Sequence, residues 1–384
     1  MSRTLVVTND FPTRQGGIES FVYALADRLP ADEVVVYTAA MPGDRTFDAL
    51  LPFTVVRDPT SMLLPTPAVA RRTADVLRAE DCDAVLFGAA APLGLLADRL
   101  RQAGARRVVG LTHGHETWWA KVPAARHALR RIGTGCDVLT YVSEFCRRRI
   151  ATALSDDVAA RMVRLAPGVD TEVFRPGVGG AVIRERLGID PDRPVLVSVS
   201  RFVDRKGQDA LIKAMPHVLR TVPDALLLLV GDGPTRGRLD RLVRDNDLAR
   251  SVVFAGAVPW SEAPGWFDVG DVFAMPCRTR KGGLEPEALG IVFLEAQACA
   301  HPVLVGDSGG APETVLHGET GYVVDPFNPL AIAARAVDLL SDLDRARSMG
   351  EKGRAWVERE WSWEESVAIL RGLVAGPSPD RRGA

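Results

Sequence analysis

The chain has 384 residues, 47% of them hydrophobic and 25% charged, with a net charge of −2. This globular composition excludes a disordered chain, a collagen-like repeat and a coiled coil, and the near-neutral balance excludes a global basic field for nucleic acid. The length suits two domains, each with its own core. Cys82, Cys136, Cys146, Cys277 and Cys299 are scattered, with no C-x-x-C pair. That excludes a disulfide framework and a zinc knuckle and predicts a reducing, cytoplasmic setting. Lysine is rare (Lys121, Lys206, Lys213, Lys281 and Lys352), so a lysine inside a motif carries more information than an arginine.

A strand pattern begins at once, Leu5–Thr8, and predicts no targeting leader. Helix Ile18–Leu29, strands Val34–Tyr37 and Phe53–Val56, helix Ala68–Ala79 and strand Ala84–Phe87 follow. Next come helix Leu93–Gln102, strand Val108–Thr112, helix Ala124–Ile132, strand Val138–Val142 and helix Glu144–Thr152. The apolar run Ala84–Ala97 is broken by Gly88, Pro92 and Gly94 and is too short to span a bilayer. Turn-rich segments then interrupt the pattern: Ala166–Val169, Phe174–Gly177 and Asp190–Pro194.

The alternation restarts with strand Val195–Ser200, helix Gln208–Arg220, strand Ala225–Val230, helix Arg236–Asp245 and strands Val252–Phe254 and Val272–Met275. Helix Val292–Ala300 and strand Val303–Val305 follow. Repeated strand–helix alternation predicts parallel sheets covered on both faces, and hence an α/β protein with two Rossmann-like domains, 1–170 and 171–361. Sites in such sheets lie at the carboxyl ends of the strands, which places this one in a central cleft between facing domains. A last helix, about 362–374, is expected to pack back on the first domain, and the tail Gly376–Ala384 to fray.

Four motifs carry chemistry. Asn9–Ser20 (N-D-F-P-T-R-Q-G-G-I-E-S) leads from a strand through Gly16 and Gly17 into a helix, whose free amides suit a phosphate. Ser198–Asp209 (S-V-S-R-F-V-D-R-K-G-Q-D) puts Arg201 and Lys206 on one strand-to-helix loop, able to grip both phosphates of a diphosphate. Glu285–Glu295 (E-P-E-A-L-G-I-V-F-L-E) sets Glu287 in a loop before Gly290 and Glu295 inside the next helix. This suits a polyhydroxylated ligand whose phosphate faces the helix start. Thr112–Trp119 (T-H-G-H-E-T-W-W) brings His113 and His115 to a strand end, either as a structural pair or as a metal pair. Asp81-Cys82-Asp83 precedes its strand and reads as a solvated turn. Seven cations within residues 121–149 face only Asp137 and Glu144, and read either as solvated helix faces or as a basic face for an anionic membrane.

As an ordered set, G-G-I-E, S-R-F-V-D-R-K-G, G-D-G-P, E-P-E-A-L-G-I-V-F-L-E-A and G-G-A-P-E resemble retaining GT-B glycosyltransferases that use nucleotide-activated sugars. T-H-G-H-E-T-W-W and M-P-C-R-T-R-K-G-G-L-E-P-E-A-L-G are similar to a narrower group. These are actinobacterial PimB-type enzymes, which move mannose from GDP-mannose to phosphatidylinositol monomannoside. The resemblance implies a GT-B architecture, with an acceptor-binding first domain and a nucleotide-sugar-binding second domain. It implies that Gly16 and Gly17 approach the diphosphate, that Arg201 and Lys206 neutralise it, and that Glu295 takes the ribose hydroxyls. Glu287, with amides around Leu289, Gly290 and Ile291, would hold the sugar and distal phosphate. Backbone near Val258 would read the base, and His113 or His115 would touch the sugar near its C6 hydroxyl.

The resemblance further implies retention by front-face attack, no metal or other cofactor, and a lipid-linked acceptor met at the inner face of the plasma membrane. Another donor, a small-molecule acceptor, a nucleotide-sugar epimerase and a non-catalytic sugar-nucleotide sensor stay open as alternatives, as does the oligomeric state.

Overall fold

A computed structural model describes residues 3–14 and 16–376. The chain divides into two compact units: unit 1 is Met1–Pro167 with Glu364–Ala384, and unit 2 is Gly168–Trp363. The tail beyond Gly376, expected to fray, lies outside the described residues, as does Gln15 of the first glycine loop.

Unit 1 holds β1 (Thr4–Thr8), β2 (Val34–Ala39), β3 (Thr54–Asp58), β4 (Ala84–Phe87), β5 (Arg107–Gly110), β6 (Val138–Tyr141) and β7 (Val163–Arg164). They form one sheet in the order β3-β2-β1-β4-β5-β6-β7, with every pairing parallel. β1, β2 and β4 are buried along their whole length, which is why they read as continuous apolar runs rather than alternating ones. The predicted helix Leu93–Gln102 is broken in the structure: a turn Ala90–Leu93 and a 3-10 turn Gly94–Leu96 precede helix Ala97–Ala103. The last helix, Trp363–Ala375, returns to unit 1, where Arg107 Nε donates to the Leu373 carbonyl at 2.8 Å and Ser366 Oγ to that of Ala166 at 2.8 Å.

Unit 2 holds β8 (Val195–Val199), β9 (Leu226–Val230), β10 (Val252–Gly256), β11 (Val272–Met275), β12 (Val303–Gly306) and β13 (Gly321–Val324), again all parallel, in the order β10-β9-β8-β11-β12-β13. Its core packs Leu196, Leu227, Leu229 and Leu304 against Leu211, Met215, Ile332 and Leu339 of the covering helices. The turn-rich stretch after residue 170 is not all loop. It contains helix Gly180–Arg186, whose start is capped by Asp268: its carboxylate accepts from the amides of Gly177, Gly179 and Gly180 at 2.7–3.1 Å. The capping residue is distant in sequence, so no local start signal was visible.

Candidate active site

Each sheet has one place where strand order reverses, and loops leaving the two flanking strands diverge there to leave room for a ligand. In unit 2 that place lies between β8 and β11. The loop after β8 runs past Arg201 through a 3-10 turn, Asp204–Lys206, into helix Gln208–Val218. Gly207 joins them at φ 80°, and a Cβ there would stand 2.1 Å from the carbonyl oxygen of Pro276, just beyond β11. Only glycine fits both demands, and the two loops are thereby brought into contact.

Glu287, on the β11 loop, is buried. Its Oε2 accepts from Lys206 Nζ at 2.8 Å and from Arg205 Nη1 at 2.5 Å. Burial pushes this carboxyl upward, but Lys206 and Arg205 outweigh burial and hold it below its ordinary value. The backbone is held as well: the Glu287 amide donates to Ser308 Oγ at 3.2 Å, and its carbonyl accepts from Gly310 at 2.9 Å. Gly309, at φ 61°, lies so close that a Cβ would sit 2.0 Å from that carbonyl oxygen. This is the structural use of the G-G-A-P-E motif.

Gly290 opens helix Ile291–Ala298, and Glu295 lies just over a turn inside. Glu295 is buried, and Oε2 meets no hydrogen-bond donor among the described residues. Burial raises its pKa to about 8, with Lys206 pulling the other way. A buried, unpartnered carboxyl is costly unless a ligand supplies donors. Arg201 is exposed, and no acidic side chain pairs with it among the described residues. Leu289 is buried, Ile291 half-buried, and Val258 half-buried just beyond the end of β10. The structure thus brings Lys206 and Glu287 into contact and sets Glu295 within reach of the Lys206 charge, while Arg201 makes no ion pair with either glutamate.

In unit 1 the reversal lies between β1 and β4. Beyond β1, Gly16 precedes helix Gly17–Asp27. A Cβ on Gly16 would stand 2.3 Å from Glu19 Oε2, whereas one on Gly17 would meet nothing within 4 Å among the described residues. Beyond β4, the Gly88 carbonyl is engaged by His113 Nε2 at 2.5 Å. His113 is buried, with its ring edge-on to Phe21 at 5.7 Å. Burial holds it below its ordinary pKa although Glu116 pulls upward, so the imidazole is neutral. Glu116, fully buried, shapes the loop: Oε2 accepts from the amides of His113 and Gly114, both at 3.1 Å, and Oε1 faces His115 Nε2 at 3.3 Å. His115 is about one-third exposed (34%). The two Nε2 atoms therefore have different protein partners, and no group of three His, Cys, Asp or Glu suited to a metal ion occurs among the described residues. Trp118 and Trp119 pack on each other at 5.6 Å. Asp81 is exposed and Cys82 buried, ahead of the amino end of β4.

Sequence reasoning overlooked three residues. Arg205 adjoins the singled-out Lys206. Glu116 sits inside the histidine motif, where only its burial shows its role. Arg278 bonds the turn Asp204–Lys206 (the clamp turn) at Arg205 O, 2.8 Å from its amide, and at Asp204 O, 2.9 Å from its guanidinium, and reaches Asp209 Oδ1 of the next helix at 2.5 Å.

Residues 181–356 match the family model described as glycosyl transferases group 1, and residues 15–173 match glycosyltransferase family 4. The chain is 48% identical, over 97% of its length and 98% of the relative's, to the GDP-mannose-dependent alpha-(1-6)-phosphatidylinositol monomannoside mannosyltransferase of Mycolicibacterium smegmatis. The chain belongs to this glycosyltransferase family. A second family member, the GDP-mannose-dependent monoacylated alpha-(1-6)-phosphatidylinositol monomannoside mannosyltransferase of Corynebacterium glutamicum, is 44% identical over 94% of this chain and 95% of its own. The glycosyltransferase fold itself is matched by Anabaena HepE in complex with UDP. That structure has a TM-score of 0.81 and 18% identity, and the match covers 98% of this chain and 100% of HepE. Sucrose-phosphate synthase from Thermosynechococcus elongatus follows at TM-score 0.78, with 23% identity and 97% and 98% of the two chains covered. The two parallel-sheet units are thus the two Rossmann-like domains of a GT-B glycosyltransferase.

Proposed function

We propose that this glycosyltransferase moves mannose from GDP-mannose to a phosphatidylinositol monomannoside acceptor, in α linkage and with retention. The observation that supports the reading is the Lys206–Glu287 contact across the strand reversal of unit 2, a cation beside a buried carboxylate, the pair a sugar diphosphate would need. The relatives' names supply the donor and the acceptor class.

Cleaving the sugar–phosphate bond leaves a nucleoside diphosphate anion and an oxocarbenium-like sugar. In this reading Arg201 and Lys206 stabilise the anion as it develops, and the amide start of helix Gly17–Asp27 at Gly16 and Gly17 suits a phosphate. The departing phosphate takes the acceptor's proton, so the protein need supply neither nucleophile nor base. Glu287 and the amides of Leu289, Gly290 and Ile291 hold the sugar and distal phosphate. Glu295 receives the ribose hydroxyls, backbone at Val258 reads the base, and His113, or His115 in its place, contacts the sugar near C6. Protein cations balance the leaving group, and no divalent cation takes part.

We place the reaction on the cytoplasmic face of the plasma membrane, with the chain docked peripherally. No described helix is long and apolar enough to cross a membrane. Among the cations of 121–149, Arg147 is paired with Glu144, and Arg126 and Arg130 donate to the carbonyls of Thr152 and Ala153. Arg131 and Arg148 are exposed and make no ion pair or hydrogen bond among the described residues, although Arg148 lowers the Glu144 carboxyl through space, and both would face lipid headgroups.

A donor panel (GDP-mannose, UDP-glucose, UDP-N-acetylglucosamine, ADP-glucose) incubated with lipid extract tests the proposal by product mass. We expect a hexose added to phosphatidylinositol mannoside from GDP-mannose alone, GDP release only when acceptor is present, and full activity in EDTA. GDP release without acceptor, or loss in EDTA that zinc restores, would refute it.

A further inference from the structure

Lys206 is claimed by three anions. Its ammonium is bonded to Glu287, it lies close enough to Glu295 to pull that carboxyl downward, and the function proposed above asks it to neutralise a diphosphate. A second cation stands on the same oxygen of Glu287, the Arg205 guanidinium at 2.5 Å, and it has no other acidic partner among the described residues. We propose that Arg205 is the dedicated counter-ion of Glu287: when an incoming sugar diphosphate draws Lys206 away, Arg205 stays and keeps the carboxylate charged and oriented toward the sugar hydroxyls. This rests on the reading of Glu287 as the sugar-binding group.

The surroundings suit a fixed partner. The Arg205 carbonyl accepts from the Arg278 amide at 2.8 Å. Arg278 also donates to the Asp204 carbonyl and to Asp209 in a pair whose side chains are 13% and 12% exposed, so the clamp turn is stitched to the segment leaving β11. A guanidinium holds its donors in a planar fork, whereas an ammonium turns freely toward a new anion. The groups that face Glu287 are Lys206 and Arg205 from the clamp turn, and Cys277 from the end of β11. Burial pushes the Cys277 thiol up to about 12 and leaves it neutral. Without Arg205, and with Lys206 engaged elsewhere, burial would drive Glu287 toward its protonated form.

The test compares affinities for GDP and GDP-mannose by calorimetry, on the full chain and its Arg205→Gln and Arg205→Lys variants, from about pH 6 to 8.5. Arg205→Gln should bind GDP within about twofold of wild type while its affinity for GDP-mannose, relative to GDP, falls about tenfold or more, the range for a lost charge-assisted bond. The deficit should shrink as pH rises, because the stripped carboxyl ionises again, and Arg205→Lys should recover most of the ratio throughout. An equal loss for GDP and GDP-mannose would make Arg205 one more diphosphate cation and overturn the proposal. An unchanged ratio would make it a bystander and overturn it equally. A wild-type chain that binds GDP but not GDP-mannose overturns the sugar-binding reading of Glu287 itself, a result distinct from either.

Discussion

The loop that ends at Gly290 and the helix that begins at Ile291 bury one glutamate each, with opposite outcomes. Burial raises both carboxyls. At Glu287 two cations on one oxygen reverse it, so the group is an anion before any ligand arrives. At Glu295 only the charge of Lys206 opposes it, and burial pushes the carboxyl up to about 8. Burial decides the charge of a carboxyl only where no partner is supplied. A preformed anion suits recognition of a reacting sugar, and a proton-holding carboxyl suits one that ionises as ligand hydroxyls reach it.

The largest effect should come from breaking the comparison at its shared cation. Lys206→Ala removes a partner from Glu287, the opposing pull on Glu295 and half of the proposed diphosphate clamp. Transfer should fall by about 10²–10³-fold or more. Arg201→Ala should fall comparably without disturbing Glu287. Product formation measures both, with thermal melts to confirm that the fold survives. Near-normal turnover and donor affinity in either variant would remove the clamp assignment.

A smaller effect sharpens the contrast through proton linkage. The Glu295 carboxyl sits near 8 in the folded chain against an ordinary 4.5. Between those values the folded state binds more protons than the unfolded one, so stability falls as pH rises through that window. Glu295→Gln abolishes that slope. From about pH 6 to 8 its melting temperature should gain on wild type by a few degrees, at roughly 2–4 °C per kcal/mol for a domain of this size. GDP binding near neutral pH should release a proton in wild type, as ribose hydroxyls favour the carboxylate, and release less in the variant. Parallel melting curves and equal proton release would show that Glu295 does not titrate there.

The smallest effect carries the contrast from paired and unpaired acids to paired and unpaired cations. Arg147 lies 2.6 Å from Glu144, while Arg131 and Arg148 are exposed and make no contact ion pair among the described residues, Arg148 acting on Glu144 only through space. Reversing Arg131 and Arg148 to glutamate should weaken binding to anionic vesicles by about 1 kcal/mol per cation removed, and more for full reversal. Reversing Arg147 should cost less binding. Sedimentation with vesicles of rising anionic content measures this, and unchanged binding for the double variant would reject the docking face.

Much of the fold was legible because buried parallel strands write themselves as apolar runs. Leu226–Val230 is five apolar residues in a row and is a wholly buried strand. Legibility failed where order comes from distant partners. Helix Gly180–Arg186 is capped by Asp268 and so carried no start signal of its own. Strand β13 and helices Pro329–Leu340 and Leu343–Glu360 complete the second half beyond the last motif. At the site, Lys206 stood out through the scarcity of lysine, while Arg205 was one arginine among many until its distance to Glu287 was known.

The sequence by itself determined the alternation of strands and helices, the two Rossmann-like halves and the loops that carry chemistry, because periodicity, glycine turns and charged residues at strand ends are local properties. Only the tertiary structure decided which charges meet and which stand alone. The Lys206–Glu287 contact spans 81 positions of sequence, and Glu287's second partner, Arg205, is 82 away. Ionisation follows the balance between lost hydration and nearby charge, and that balance exists only once distant segments are folded together.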